Sequence, residues 1–329
     1  MATPVGMKRN IALIGHRGAG KTSLAECMLF NAKTTERLFR VDDENSVFDY
    51  EPEEQKRKIT LSASLHHYSW DKHPVNIIDT PGYTNFLSET RNSLRVVEGT
   101  VLLLSAISGV KVQTEQVWGF ADKYGVARVA FVNKMDKENA NYQSVVDEME
   151  KIFGVRALAL QLPIGEGESF KGVVDLINMK ACIYKKDGKC SYEVTEVPDD
   201  LKDRAAELRE ALIESIAEMH DELTEKYLEG EELTPEEIQT GIREGVLHGN
   251  FVPVLLGSAY ENMGVKFLLD FIDDYMPSPR DRDETVGDIK GVKPGTDEEL
   301  LRERTAEAPF TGLIFKTIMD PYTGKLSVM

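Results

Sequence analysis

The chain has 329 residues, enough for two domains or for one large domain that carries an insertion. Its 41% hydrophobic and 8% aromatic content is typical of a globular protein with a buried core. The net charge of -17 argues against a broad nucleic-acid-binding face, because phosphate backbones recruit Lys and Arg. This acidity is concentrated between Glu193 and Glu244, where 18 Asp and Glu stand against 5 Lys and Arg, so local basic surface remains possible elsewhere.

The sequence also bears on the cellular compartment. No apolar run is long enough to span a bilayer, and the first six residues lack the apolar stretch of a secretory signal. Cys27, Cys182 and Cys190 show no metal-ligand spacing, and three cysteines cannot all pair. We therefore expect a soluble, cytoplasmic, monomeric protein with no membrane partner.

Apolar strands alternate with helices over the first half of the chain. Strands are predicted at residues 10–14, 75–78, 101–104 and 129–132, and helices at 22–31, 88–97, 114–123 and 145–153. Polar motifs follow the carboxyl ends of the strands, so the pattern predicts an α/β fold with a ligand crevice along that edge. The sheet is expected to be mostly parallel, with helices on both faces.

The regular alternation stops after Asp136. The last polar motif of the series contains Ser258, 122 residues later, although one βαβ unit needs only about 30 to 40 residues. The excess predicts an inserted α+β subdomain at 161–248, with Asp187-Gly188 as a hairpin turn and Thr234–Glu237 as a helix start. The main domain then comprises residues 1–160 and 249–284.

A connector rich in Pro, Gly and Asp begins at Pro277. It leads into a predicted strand, Phe310–Ile318, a turn at Asp320–Gly324, and a second strand from Lys325. A lone hairpin is at best marginally stable, so residues 285–329 are interpreted as a linker and the truncated start of a β domain.

The first motif is a glycine-rich loop that follows a strand and opens a helix, the context of a phosphate-binding loop. Its backbone N–H groups can turn inward around phosphates, and the helix N-terminus adds partial positive charge. Lys21 is expected to reach the β- and γ-phosphates, and Thr22 to place its hydroxyl on Mg²⁺. The predicted phosphate-binding residues are Gly15, His16, Arg17, Gly18, Ala19, Gly20, Lys21, Thr22 and Ser23.

The second motif, Asp79–Gly82, ends a strand. Asp79 can orient Mg²⁺ through a bound water, and the Gly82 N–H can sense the γ-phosphate. In the basic segment Gln55–Thr60, Thr60 could supply a hydroxyl to Mg²⁺ and an N–H to the γ-phosphate; a plain loop that enters a strand at Thr60–Leu65 is the alternative. Predicted metal-binding residues are thus Thr22, Thr60 and Asp79, and candidate catalytic residues include Lys21, Gly82 and Thr60.

The remaining motifs select the base. The Asp136 carboxylate can accept from both N1–H and the 2-amino group of guanine, a donor pair that adenine lacks. The stem of Lys134 can lie along the ring, and Asn133 can tie this loop to the phosphate-binding loop. Ser258 and Ala259 close the other edge, with the Ala259 N–H suited to guanine O6. The predicted ligand is therefore GTP or GDP with Mg²⁺.

With these motifs, the chain resembles the translational GTPases, and within them elongation factor G and its paralogues. The long insertion before Gly257–Ala259 and the passage Phe315–Ser327 strengthen the resemblance. It implies GTP-driven action on the ribosome, with rRNA and a stalk protein as partners, the latter at the acidic insertion. It also implies that this is an N-terminal part, with the rest of a β-barrel domain and three further domains beyond it.

Three residues depart from the family pattern around the γ-phosphate. The family typically has His where this chain has Tyr83, Asp at Gly18 and Gly at Lys58. A phenol can hydrogen-bond a water but is a poor general base at neutral pH, so Tyr83, the fourth candidate catalytic residue, predicts slow hydrolysis. Arg17 could compensate by reaching the γ-phosphate, although a solvent-facing loop cation is the more common situation.

The sequence is also compatible with two other functions. One is a GTP-sensing module that cycles by exchange with negligible hydrolysis. The other is a ribosome-protection or release-type factor on the same scaffold.

Overall fold

The computed structural model describes residues 4–282, 287, 289–293, 295–303, 305, 307–320, 322 and 324–329. In this part of the chain the helices are α1 (Lys21–Asn31), α2 (Pro52–Arg57), α3 (Leu87–Ser93), α4 (Val112–Lys123), α5 (Tyr142–Phe153), α6 (Lys202–Ala217), α7 (Asp221–Leu228), α8 (Pro235–His248) and α9 (Val265–Tyr275). The strands are β1 (Arg9–Ile14), β2 (Ser64–Trp70), β3 (His73–Asp79), β4 (Gly99–Ser105), β5 (Ala127–Asn133), β6 (Ala157–Ala159), β7 (Gln161–Ile164), β8 (Gly172–Asp175), β9 (Lys180–Tyr184), β10 (Tyr192–Thr195), β11 (Val252–Leu256), β12 (Ile289–Val292), β13 (Glu299–Arg302), β14 (Lys316–Asp320) and β15 (Gly324–Val328).

The central sheet has seven strands in the order β2-β3-β1-β4-β5-β11-β6. All neighbours are parallel except β2 and β3, which are antiparallel. Consecutive residues of β1 point to opposite faces: Ile11 and Leu13 join a core with α1, α8 and α9, whereas Ala12 and Ile14 join a core with α4 and α5. The predicted α/β fold with helices on both faces of a mostly parallel sheet is confirmed.

Local capping explains where two of the helices begin and end. The Asn141 side chain accepts from the N–H of Ser144 at the start of α5, and Gly154 ends that helix at φ 65°. At the predicted helix start, Thr234 caps α8 through the Glu237 N–H, and Pro235 occupies the first turn, where its missing N–H costs nothing.

The largest differences from the predicted boundaries concern α3, β2 and β14. α3 ends at Ser93 rather than at residue 97, and the apolar Leu94 and Val97 are buried in the turns that lead to β4. β2 begins at Ser64 rather than at Thr60. β14 begins at Lys316, where its pairing with Val328 starts, rather than at Phe310.

The chain leaves the central sheet between β6 and β7. β7 to β10 form a four-stranded antiparallel sheet, and the acidic α6, α7 and α8 follow it. α8 packs against both α9 and β5, so this helix also covers the central sheet before β11 returns to it.

Two antiparallel hairpins, β12–β13 and β14–β15, follow α9. Pro321 and Thr323 of the predicted turn, Pro294 of the connector and the predicted boundary at residue 284 lie outside the described residues. The Lys316 ammonium group, at the start of β14, donates to the Ser62 hydroxyl and the Ala63 carbonyl and lies 3.1 Å from the Glu89 carboxylate. This ion pair joins the second hairpin to the segment before β2 and to α3.

Candidate functional site

All four predicted motifs meet at the carboxyl edge of the central sheet. They follow β1, β3, β5 and β11, and they surround a cavity of about 610 Å³. Twelve predicted site residues line this cavity: Arg17, Gly18, Gly20, Lys21, Thr22, Ser23, Thr60, Gly82, Tyr83, Asn133, Lys134 and Ala259. Six predicted residues do not line it: Gly15, His16, Ala19, Asp79, Asp136 and Ser258.

The loop before α1 is shaped by its glycines and its lysine. Gly20 adopts a left-handed conformation at φ 97°, and a Cβ there would clash with the Asn133 amide nitrogen, so only glycine fits. The Lys21 ammonium group donates to the Gly15 and His16 carbonyls at 3.0 and 3.1 Å. Burial lowers the pKa of Lys21, an effect that the nearby Asp79 charge opposes.

His16 contributes its backbone to this loop, but its side chain points away from the cavity. The ring nitrogens lie 3.1 Å from the Ser108 hydroxyl and 3.4 Å from the Thr114 hydroxyl. Burial, aided by the charges of Lys21, Lys111 and Lys134, lowers the pKa of His16 to about 4. The imidazole is therefore neutral at pH 7 and anchors the loop to α4.

Three predicted metal-binding residues lie together. The Thr22 hydroxyl donates to Asp79 Oδ2 at 2.6 Å and lies 3.0 Å from the Thr60 hydroxyl. Asp79 Oδ1 is buried without a hydrogen-bond partner in the described part of the chain, and burial raises the pKa of this carboxyl. An oxygen-rich set with an unsatisfied carboxylate oxygen suits a hard cation such as Mg²⁺, so the residues fit this ion.

One acidic residue at this end of the cavity was not identified from the sequence. Asp49 lines the cavity and is 2% exposed, with its carboxylate beside the Thr60 hydroxyl. Burial raises its pKa to about 6. It belongs to no recognisable motif, and nothing in the sequence distinguishes it from Asp42 and Asp43, the other two Asp residues between α1 and Thr60.

The two loops at the opposite end of the cavity are tied together. The Asn133 amide donates to the Ala19 carbonyl at 2.7 Å, which connects this end to the phosphate-binding loop. The Ala259 N–H, assigned to guanine O6 from the sequence, donates instead to Asn133 Oδ1 at 2.9 Å, because a buried N–H takes the acceptor within reach. Ser258 is fully buried and holds its loop through backbone hydrogen bonds with Met263.

Asp136 does not line the cavity itself, although Lys134 and Lys137 on either side of it in the sequence do. Its Oδ2 pairs with the Lys137 ammonium group at 2.8 Å, whereas Oδ1 is buried and has no hydrogen-bond partner among the described residues. A buried carboxylate oxygen without a donor is costly, so it calls for a ligand N–H. Lys137 and Tyr260, both missed from the sequence, complete this end of the cavity.

The structure also shows the surroundings of Tyr83 and Lys58, two of the residues that depart from the family pattern. The Arg17 guanidinium lies 4.5 Å from the centroid of the Tyr83 ring, and both residues line the cavity. A Cβ on Gly82 would stand 2.6 Å from Lys21 Nζ and 2.8 Å from Arg17 N, so the segment just after β3 is closely packed on the phosphate-binding loop. Lys58 ends α2 in a left-handed conformation at φ 54°, and its ammonium group donates to the Asp42 carbonyl at 2.8 Å.

Comparison with known proteins identifies the class. The model of the elongation factor Tu GTP-binding domain matches residues 7–278. The chain belongs to this family, and it is a GTP-binding domain of the translational GTPases.

A structural relative is known from Thermus thermophilus. Its crystal structure superposes with a TM-score of 0.83 at 32% sequence identity, covering 98% of this chain and 45% of that one. The chain thus spans less than half the length of this relative.

In the part that the structure describes, no helix has the length and apolar character needed to cross a membrane.

Proposed function

We propose that the chain is the GTP-binding and GTP-hydrolysing switch region of an elongation factor G-like translation factor that acts on the ribosome. The convergence of the four motifs on one cavity, with the unsatisfied Asp136 Oδ1 at the base end, carries this proposal. rRNA and a stalk protein are the proposed macromolecular partners, and a cytoplasmic monomer is the proposed form. The proposed division is residues 1–160 and 249–284 for the GTP-binding domain, 161–248 for the insertion, and 285–329 for a linker and the start of a β-barrel domain.

The phosphate end would work by placement and charge. Thr22, Thr60 and Asp79 would hold Mg²⁺, which when bound offsets the negative charge of the phosphates. The Lys21 ammonium group and the backbone N–H groups of Gly18 and Gly20 would bind the β- and γ-phosphates, and Gly82 would respond to the γ-phosphate. Phosphate binding would also keep Lys21 charged, because a nearby anion opposes the effect of burial on its pKa.

The base end would provide specificity. Asp136 Oδ1 would accept from guanine, the stem of Lys134 would lie along the ring, and Asn133 would hold the loop in register with the phosphate-binding loop. An adenine in this place would leave the buried carboxylate oxygen unpaired, which is a large penalty for the wrong base.

Hydrolysis is proposed to be slow in isolation and stimulated by the ribosome. The Arg17 guanidinium lies over the Tyr83 ring, and the Tyr83 hydroxyl is a weak base for an attacking water. The same observation favours a second candidate, a GTP-sensing module with negligible hydrolysis. A ribosome-protection or release-type factor would share this region, so its distinguishing parts would lie elsewhere.

Multiple-turnover phosphate release from GTP, measured with and without ribosomes, separates these candidates. We expect slow release that ribosomes accelerate and that Lys21→Ala abolishes. Tight GTP binding without any release in either condition would support the sensing module and contradict the proposed hydrolysis.

A further inference from the structure

Tyr260 stands between two cations at the rim of the cavity. The Arg40 guanidinium lies 4.6 Å from the centroid of its ring and the Lys137 ammonium group 4.4 Å from it. Tyr260 is 52% exposed, as expected for a residue at an opening. A cation over an aromatic face is attracted by the ring quadrupole, so these three residues, here called the rim cluster, hold one another in place.

The rim cluster joins two walls of the cavity that come from distant parts of the chain. Tyr260 and Lys137 line it beside Ala259 and Lys134, at the base end. Arg40 comes from the segment of residues 33–60, whose Val41 and Asp42 line the same cavity. A small pocket between the two walls is lined by residues of both, among them Leu38, Phe39, Arg40, Cys27, Ala259 and Tyr260.

The segment that carries Arg40 is also held further along the chain. The buried Glu26 carboxylate accepts from the Ser46 hydroxyl at 2.6 Å and from the Val47 N–H at 2.7 Å. Phe48, the next residue, is fully buried. Loosening Arg40 would therefore free the near end of the segment while its far end stays anchored.

We propose that the rim cluster is a clasp that slows the release of the bound guanine nucleotide, with Arg40 and Tyr260 as positioning residues. The inference rests on the proposed function, in that the cavity must bind such a nucleotide. The cluster adjoins Asp136 and Ala259, whereas the γ-phosphate would lie beside Lys21, Thr60 and Gly82. Opening the clasp therefore speeds the release of GDP and GTP by the same factor.

Stopped-flow release of fluorescent mant-GDP and of a non-hydrolysable mant-GTP analogue tests the clasp. An exposed cation–π contact corresponds to roughly a two- to fivefold change in rate, so R40A and Y260L each speed release of both nucleotides by about that factor. R40K keeps the cation and Y260F keeps the ring, and both stay within about twofold of wild type. The double variant R40A/Y260L is no faster than Y260L alone, because the loss of the Tyr260 ring already removes the Arg40 contact.

Arg37 provides a matched control. Its guanidinium lies 4.7 Å from the ring of Phe39 in the same segment, but unlike Arg40 it does not line the small pocket beside Tyr260. R37A leaves both release rates unchanged. Wild-type rates in R40A and Y260L, or faster release of the GTP analogue alone, would overturn the clasp. Failure of the wild-type chain to bind either nucleotide would instead remove the proposed function, and the clasp with it.

Discussion

The contact between Arg17 and Tyr83 allows the role of the Tyr83 ring in hydrolysis to be tested separately from that of its hydroxyl. If the ring matters because it holds the Arg17 guanidinium beside the phosphates, Tyr83→Phe retains the turnover rate. Tyr83→Ala removes the support, and Arg17→Ala removes the charge itself. Wild type and Tyr83→Phe both keep the ring, so their comparison with Tyr83→Ala isolates the contribution of the ring.

The expected sizes separate the two explanations. The Arg17–Tyr83 contact is partly exposed, so its loss in Tyr83→Ala is expected to cost about 0.5–1 kcal/mol, or roughly two- to fivefold in rate. If the hydroxyl instead took part in proton transfer, Tyr83→Phe would lower the rate by ~10² to ~10⁴. The two values differ by more than an order of magnitude, well beyond assay error.

Single-turnover phosphate release with saturating enzyme measures this directly, because it excludes the release of GDP from the observed rate. Nucleotide affinity measured on the same variants provides the control for intact binding. A hundredfold loss in Tyr83→Phe would refute the role of the ring, and so would an unchanged rate in both Tyr83→Ala and Arg17→Ala.

Three other predictions concern stability. The pKa of His16 is lowered in the folded state, so the contribution of His16 to the free energy of unfolding is complete above pH 6.5 and is lost as the pH falls toward 4. Between pH 7.5 and 5, the free energy of unfolding in urea should fall by about 2 kcal/mol more in wild type than in His16→Asn. Equal losses in the two proteins would contradict this prediction. Lys316→Met removes the partner of Glu89 and should lower the free energy of unfolding by about 1–2 kcal/mol. The control Lys325→Met, at an exposed position in β15, should change it by less than about 0.5 kcal/mol. Equal effects of the two substitutions would mean that the ion pair contributes little. Lys58→Gly and Lys58→Ala both lose the Asp42 contact, but only Ala keeps an unfavourable left-handed conformation worth about 1 kcal/mol, so the Gly variant should be the more stable of the two. The opposite order in thermal unfolding would refute this explanation.

The sequence predicts the sheet and the cavity well because both depend on local signals. Strands such as β5 contain an apolar run, and the motifs follow the ends of four of them, so the topology of parallel sheets places the motifs together. Gly20 and Lys21 act through their own backbone and neighbouring carbonyls, which a short motif encodes.

The parts that the sequence does not predict depend on contacts between distant segments. The His16 side chain turns toward Ser108 and Thr114, some 90 residues away, so a motif that names it for nucleotide binding cannot show that it anchors the loop. Asp49 and the rim cluster become visible only when the segment of residues 33–60 is packed on the cavity. Likewise, the Ala259 N–H meets Asn133 through a tertiary approach that spacing does not reveal.

The most direct test of the central claim is base selectivity at Asp136. Fluorescence titration with mant-GDP and mant-ADP in the presence of Mg²⁺ should show at least a roughly 10³-fold preference for the guanine nucleotide, because adenine leaves Asp136 Oδ1 unpaired. In Asp136→Asn that preference should fall to within about tenfold, with the circular dichroism spectrum unchanged. Comparable affinities of the wild-type chain for both nucleotides, or a preference that survives in Asp136→Asn, would contradict the account.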